Sequence, residues 1–299
     1  MGETIMSEAF TLGARGECVS NLQRALRIKS DGRFGPNTYD AVSGVERELG
    51  RAPQGKADPL VFSRLGLAWP DEFERVLALV IELEGTSYGD CNATDIDGAG
   101  LTMGICGFTT RYGEVQALLE TFLNRVPEEW RTLSRPMRER LRDLTAQSAA
   151  PRHWERVVLD EHRRPIREIQ SALAAWGQHP VMRELQRTWA RERFWQSAVA
   201  TAHRLGVDTP AGRAMLFDIA VQNGGWARRH ERRLARLAGG DALPEHPRER
   251  LRLIAIAVAA EAKAPWRGDV LSRKMLFAQG AGMVHGTFFS LAAQAIIVP

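Results

Sequence analysis

The segment Glu82-Leu83-Glu84-Gly85-Thr86-Ser87-Tyr88-Gly89, with Asp95-Ile96-Asp97-Gly98-Ala99-Gly100-Leu101-Thr102-Met103-Gly104-Ile105-Cys106-Gly107-Phe108 soon after it, joins a helix to a strand through a glycine-rich turn. Upstream, Phe73, Val76, Leu77, Val80 and Leu83 recur at helical spacing, so Glu84 ends an amphipathic helix over 71–84. Downstream, Leu101, Met103 and Ile105 alternate with small residues, a period of two that predicts a short strand or hairpin arm. A carboxylate at a helix end and a second one 13 residues later, in a polar turn, form a pair with unlike surroundings.

Such a pair suits glycosidic cleavage. One protonated carboxyl donates to the leaving oxygen, and an ionised one works on the opposite side of the bond. The apolar residues before Glu84 favour its protonated form, and the polar turn favours a charged Asp97. That makes Glu84 the candidate acid and Asp97 the candidate base. Asp95 stands as the alternative base, and Glu82 as a solvated neighbour of Glu84. Thr102 is either a helper of the attacking water or a plain strand residue. Tyr88 either stacks on a sugar or fills the core.

Outward from this segment the chain is helical. Periodic stretches predict helices over 113–125, 136–148, 153–176, 181–205, 210–222, 226–238, 248–263 and 267–279, with Pro136, Pro165, Pro180 and Pro210 as starts and breaks. In Leu216-Phe217-Asp218-Ile219-Ala220-Val221-Gln222-Asn223-Gly224, Asp218 and Gln222 share one face of an apolar helix. Polar groups in that setting need partners, and Arg273 or Lys274 can supply them. Such a set would orient the catalytic glutamate, with Asn223 beside it. His285, in Met283-Val284-His285-Gly286, reads as a satisfied core histidine.

Ala68-Trp69-Pro70-Asp71 reads as a boundary, because Pro70 ends the preceding segment and Asp71 can cap the next helix. It separates a tail (1–9) and a compact unit (10–66) from a domain spanning 72–299. The unit carries Phe10 to Ile28, then Asp31-Gly32-Arg33-Phe34-Gly35-Pro36-Asn37-Thr38, then Ala41-Val42, and reads as three short helices. Val19, Leu22, Leu26 and Ile28 form one apolar face, and Thr38, Ala41, Val42 and Val45 a second.

The 299 residues carry a net charge of +4, and 44% are hydrophobic, enough for a sizeable core in at least one domain. The basic excess favours anionic partners. The three cysteines are widely spaced, with no disulfide or zinc pattern, so no metal and no cofactor is expected. No stretch of about 18 apolar residues exists to span a membrane, and the first ten residues lack the apolar core of a secretory signal. If the chain acts on a cell wall, it is expected to be made in a host cytoplasm without such a signal, carried out by another component, and active in the periplasm. The basic run Ala227 to Arg236 has no aromatic platform or recognition pattern, so no nucleic acid partner is expected. The chain is expected to be a monomer.

Two family resemblances sharpen these readings. The 10–66 unit, through Gly13, Gly16, Val19, Leu22-Gln23, Leu26, Asp31-Gly32-Arg33-Phe34-Gly35, Thr38 and Ala41-Val42, closely resembles the three-helix peptidoglycan-binding domain of wall hydrolases. This implies wall binding through Asp31, Arg33, Phe34 and Thr38; Val45-Glu46 departs from the family's usual Phe-Gln. The stretch Asp97 to Phe108 resembles the catalytic region of glycoside hydrolase family 46 chitosanases and their lysozyme-like relatives. That resemblance implies a mainly α, lysozyme-like catalytic domain with a small β element, inversion, and a carboxylate gap on the order of 7–14 Å, beyond the usual inverting range because the cleft opens. It gives Glu84 the acid place, Asp97 the base place, and Thr102 the water-holding hydroxyl. The departures are a shorter carboxylate spacing and Ala99 in an arginine's place, which bear on substrate preference. Together the resemblances imply an endolysin-like or secreted-effector hydrolase of β-1,4 links in peptidoglycan strands. The alternatives are a chitosanase and a non-catalytic wall-binding protein.

Overall fold

A computed structural model of the chain describes residues 8–94, 100–145, 158–162, 164–239 and 243–298. The fold is mainly helical. By packing, the chain forms two compact units, one of residues 1–84 with 193–299 and the other of residues 85–192.

The first unit begins with α1 (Glu17–Ala25), α2 (Pro36–Glu48) and α3 (Pro59–Arg64). Pro36 and Pro59 open their helices at positions that lack a helical hydrogen bond in any case. Asp58 caps α3 by accepting from the Leu60 and Val61 amides. Next comes α4 (Glu72–Glu84), with Phe73, Val76, Leu77, Val80 and Leu83 buried as their spacing predicts. The unit resumes with α9 (Gln196–Arg204), α10 (Pro210–Asn223), α11 (Arg228–Leu237), α12 (Pro247–Glu261) and α13 (Arg267–Gln279). Phe73 of α4, Phe217 of α10 and Trp195 form a ring cluster with centroids 5.8–5.9 Å apart. Edge-to-face packing of this kind adds about 0.5–1.5 kcal/mol per pair to the area buried. The guanidinium of Arg213 clamps both oxygens of Glu72 at 2.7 and 2.8 Å, tying α4 to α10.

A hairpin of β4 (Ala281–Val284) and β5 (Thr287–Ser290) comes after α13. Its two-residue turn places His285 at φ 48° and Gly286 at φ 74°. That double left-handed turn matches the twist of paired strands and suits glycine at its second position. His285 is therefore an exposed turn residue, paired with Asp269 at 2.6 Å, and not the core histidine the sequence suggests.

In the second unit, β1 (Cys91–Thr94), β2 (Gly100–Met103) and β3 (Phe108–Thr109) form an antiparallel sheet in that order. It is succeeded by α5 (Glu114–Arg125), a short 3-10 turn (Pro127–Thr132), α6 (Arg135–Thr145), α7 (Arg167–Gln178) and α8 (Pro180–Ala190). Of the helix expected over 153–176, residues 167–176 lie in α7, and 153–157 lie outside the described residues. Leu159 pairs with Pro165 and the Ile166 amide donates to Val158, making a local turn; Pro165 removes a donor and steers its predecessor away from helix. The helix expected over 181–205 is interrupted by a π-helical stretch, Arg191–Trp195.

The expected boundary at 68–71 does not coincide with the division into compact units. Residues 8–67 pack with the rest of the first unit because Ala78 and Ala293 lie inside the same apolar cluster as Phe10, Val19, Leu22 and Phe62. Among the described residues no helix is long and apolar enough to cross a membrane.

Candidate active site

The last turn of α4 delivers Glu84 to a buried charge array. Arg273, on α13, donates from Nη2 to Glu84 Oε1 at 2.5 Å and from Nη1 to the Leu83 carbonyl at 3.3 Å. The same guanidinium grips both oxygens of Asp218 on α10. Lys274 donates to Asp218 from the other side and to Gln222 Oε1 at 2.6 Å. Asp218 and Lys274 are fully buried and Arg273 nearly so, while 23% of the Glu84 side chain reaches solvent. The array therefore fixes one carboxylate at the edge of an otherwise dry polar core.

Charges this deep must be paired to persist. Burial pushes the Asp218 carboxyl up, but Arg273 and Lys274 outweigh it and hold the group below its ordinary range. Burial pulls Lys274 down to about 8 in spite of Asp218. Burial also works against the Arg273 charge, yet Asp218 and Glu84 raise its affinity for the proton overall. Arg273 has a flat fork with several N–H groups, so it can serve two carboxylates at once, which a lysine at the same place could not match in geometry.

Glu84 thus differs from the sequence expectation in its setting: a guanidinium, and not only apolar side chains, lies against it. Glu82 lies two residues earlier in α4, where Arg15 and Arg33 act on it. Crowding by protein atoms raises the Glu82 carboxyl from its ordinary value although its tip reaches solvent, and those two arginines oppose the rise.

In the second unit, the segment just after Glu84 is pinned from several sides. The Ser87 amide and hydroxyl donate to Asp90 at 3.0 and 2.6 Å. The Thr86 hydroxyl donates to the Ile105 carbonyl at 2.8 Å. Gln186, fully buried on α8, accepts from the Ile105 amide and donates to the Tyr88 carbonyl, both at 3.1 Å. Nothing local in the sequence marks Gln186 for this part, since its partners are 81 and 98 residues away. Thr102, on β2, donates its hydroxyl to the Asn92 carbonyl at 3.2 Å. Tyr88 is buried, with the Arg183 guanidinium 4.4 Å from its ring centre, so its ring is a core residue and not a sugar platform. Asp97 and its alternative Asp95 lie outside the described residues, as does Ala99. Asn223 ends α10; its carbonyl accepts from Arg229 at 3.4 Å, and its side-chain Oδ1 is buried without a protein partner among the described residues.

In the N-terminal module the four expected binding residues divide. Phe34 and Thr38 are buried. Gln23 donates to Asp31 and Thr38 at 2.9 and 3.0 Å and accepts from the Gly32 amide, so this group builds the loop. Of the four, Arg33 and Asp31 alone are exposed, and the Asp31 carboxylate also accepts from the Arg33 amide. Glu46, where the module departs from its relatives, is buried and accepts from the amides of Gln54, Gly55 and Lys56. Its place is structural: it closes the loop before α3. Among the described residues no cluster of candidate metal ligands occurs.

Residues 85–236 match the profile of glycosyl hydrolase family 46. Among solved structures the chain is similar to a GH46 chitosanase of Gynuella sunshinyii in complex with chitotetraose, at 19% identity and a TM-score of 0.55, over 75% of this chain and 98% of that one. It is also similar to the native chitosanase of Bacillus subtilis MY002, at 18% identity and a TM-score of 0.51, over 71% of this chain and 89% of that one. At such identities the likeness is one of fold. No curated protein matches the chain.

Proposed function

Because the chain belongs to glycosyl hydrolase family 46, we propose that it hydrolyses β-1,4 bonds of a hexosamine glycan with Glu84 as the general acid. The observation that carries this reading is the single bond from Arg273 to one oxygen of Glu84. Two cations, Arg273 and Lys274, face two carboxylates, Asp218 and Glu84, and the bond from Arg273 holds the Glu84 carboxyl in place through one oxygen. The second carboxyl oxygen, which Arg273 does not bond, is the one that passes a proton to the leaving group. In this reading Asp97 activates water on the far side of the bond and Thr102 helps to hold that water. The products carry inverted anomeric configuration.

Two features bear on the substrate. Both structural neighbours are chitosanases, one of them holding chitotetraose, which supports a glucosamine chain as the first substrate to try. Peptidoglycan is the second reading, supported by the three-helix N-terminal module and by the net charge of +4, which suits a carboxylate-bearing polymer better than a polycation. In that reading the chain acts on a cell wall, as an endolysin or a delivered effector would.

The test is to incubate the chain with soluble chitosan oligomers and, separately, with purified peptidoglycan. New reducing ends are counted, the products are weighed by mass spectrometry, and their first-formed anomer is read by NMR. Release from chitosan alone selects the first reading and release from peptidoglycan alone the second. No new reducing ends from either polymer sinks both and leaves a wall-binding protein.

A further inference from the structure

The N-terminal module does not close its own core. Its apolar cluster is completed by Ala78 from the middle of α4 and by Ala293 beyond β5. Phe10, in the same cluster, pairs with Ala57 and with Gln294. The Thr11 amide donates to the Ala293 carbonyl at 3.2 Å, and Gln294 donates to the Arg15 carbonyl at 3.0 Å.

The contact with α4 is close. Gly16 has φ 94°, and a Cβ there would lie 2.9 Å from the Ala78 carbonyl oxygen. Only glycine lets the two backbones approach so far. One turn earlier on the helix, Arg75 is buried, bonded to the Pro70 carbonyl at 2.8 Å and to Glu8 at 2.9 Å. It also lies over the Trp69 ring, which packs edge-on against Phe62. The opposite face of α4 carries Phe73 into the Trp195–Phe217 cluster, and its end presents Glu84 to Arg273. The helix is therefore held from two sides, and the module is one of them.

We propose that the N-terminal module is a positioning element of the catalytic scaffold: by closing its core on Ala78 it fixes α4 and so the Glu84 carboxylate, and it acts on bond cleavage as well as on polymer binding. The inference rests on the reading of Glu84 as the acid. Ala78 and Glu84 are six residues apart on one helix, about 9 Å along its axis. A rigid helix carries a shift at one point to the other, and a displacement on the order of 1 Å at the reacting group costs up to ~100-fold in rate. A module tethered only as an anchor predicts none of this.

The test uses the full chain and a short soluble oligosaccharide that cannot profit from anchoring, the glucosamine hexamer or a peptidoglycan glycan fragment, whichever the parent cleaves. Ala78→Asp forces the module off α4, Gln294→Ala loosens it by one bond, and Ala78→Ser is the conservative control. Hydrogen exchange over residues 10–34 reports undocking, and circular dichroism reports that the helices persist. The expected result is a kcat lower by tenfold or more for Ala78→Asp, a smaller fall for Gln294→Ala, KM within twofold, and parental kcat for Ala78→Ser. If Ala78→Asp does not fold, the comparison of Gln294→Ala with the parent decides. Parental kcat in the undocking variants, with loss seen only on insoluble polymer, overturns the inference. A parent silent on both oligosaccharides sinks the glycosidase reading instead, and this inference with it.

Discussion

Arg273 holds Glu84 and Asp218 with one guanidinium, bonding Glu84 Oε1 through the same Nη2 that reaches Asp218 Oδ1. The carboxylate at the solvent edge is thus positioned by one that never meets solvent. Every perturbation of the buried pair is felt at Glu84 through a single planar group.

The first expected consequence concerns Glu84 itself. Glu84→Gln keeps an oxygen for Arg273 to bond but has no proton to give. Activity falls by about 10²–10⁴, the usual weight of general acid catalysis, with the unfolding midpoint little changed. The measurement is reducing-end release beside a denaturation curve. A variant that cleaves as fast as the parent removes Glu84 from the mechanism.

Asp218→Asn leaves buried Lys274 without a carboxylate and Arg273 with Glu84 alone. Breaking one partner of such a set costs about 3–5 kcal/mol, so the denaturant midpoint drops far more than for Glu84→Gln. The pH dependence has a definite sign. The folded Asp218 carboxyl lies below its ordinary 3.8, so its contribution to stability is complete above pH 3.8 and is lost as pH falls through the lower folded value. Parental stability therefore drops below pH 3.8 by a component that Asp218→Asn lacks. Equal acid slopes in the two proteins would contradict the ion-pair account.

Much of this array is legible in the sequence. Asp218 and Gln222 are polar residues one turn apart in a helix of Leu216, Phe217, Ile219 and Val221, and that conflict itself calls for cationic partners. The period of Phe73 to Leu83 gives α4, and the alternation around Leu101 gives β2. Other parts leave no local trace. Gln186 reaches Ile105 and Tyr88 only after the helices have packed. The contact of Gly16 with Ala78 joins two small residues, which carry no amphipathic signal, so the module reads from sequence as separable when its core is shared. Tyr88 is ambiguous by type, because a tyrosine near a candidate carboxylate suits stacking and core alike, and only its burial beneath Arg183 decides. The turn at His285-Gly286 does carry a hairpin signal, but strands of four residues on each side are too short to announce themselves by period.

Lys274 predicts an alkaline limit. Burial brings it to about 8 from an ordinary 10.5, so it begins to lose its charge in the folded chain as pH rises through 8. Asp218 then depends on Arg273 alone, and the hold of Arg273 on Glu84 changes. The rate on a soluble oligosaccharide is expected to decline above pH 8 with an apparent pKa near that value. Lys274→Met, uncharged at every pH, is expected to have a lower rate at neutral pH and no such limb. A parental profile flat from pH 7 to 9.5 would remove Lys274 from the account.

His230 predicts the acid behaviour of the other end of the unit. Its ring is buried at the start of α11, where the Ala227 amide approaches Nδ1 and the Arg229 guanidinium approaches Nε2, each at 3.2 Å. Burial first, and then the Arg229 charge, bring it down to about 4 from an ordinary 6.5, with Glu261 pulling the other way. Above pH 6.5 the ring is neutral in both folded and unfolded chains and adds no pH dependence. As pH falls below 6.5 the unfolded chain takes up a proton that the folded chain refuses, and stability declines until the folded ring titrates near 4. The span corresponds to about 3 kcal/mol. His230→Gln keeps an acceptor for the Ala227 amide but cannot titrate, so its stability is expected to change less than the parent's between pH 7 and pH 4.5. Denaturant midpoints at those two pH values decide it: parallel declines in the two proteins mean that His230 is not the group that charges.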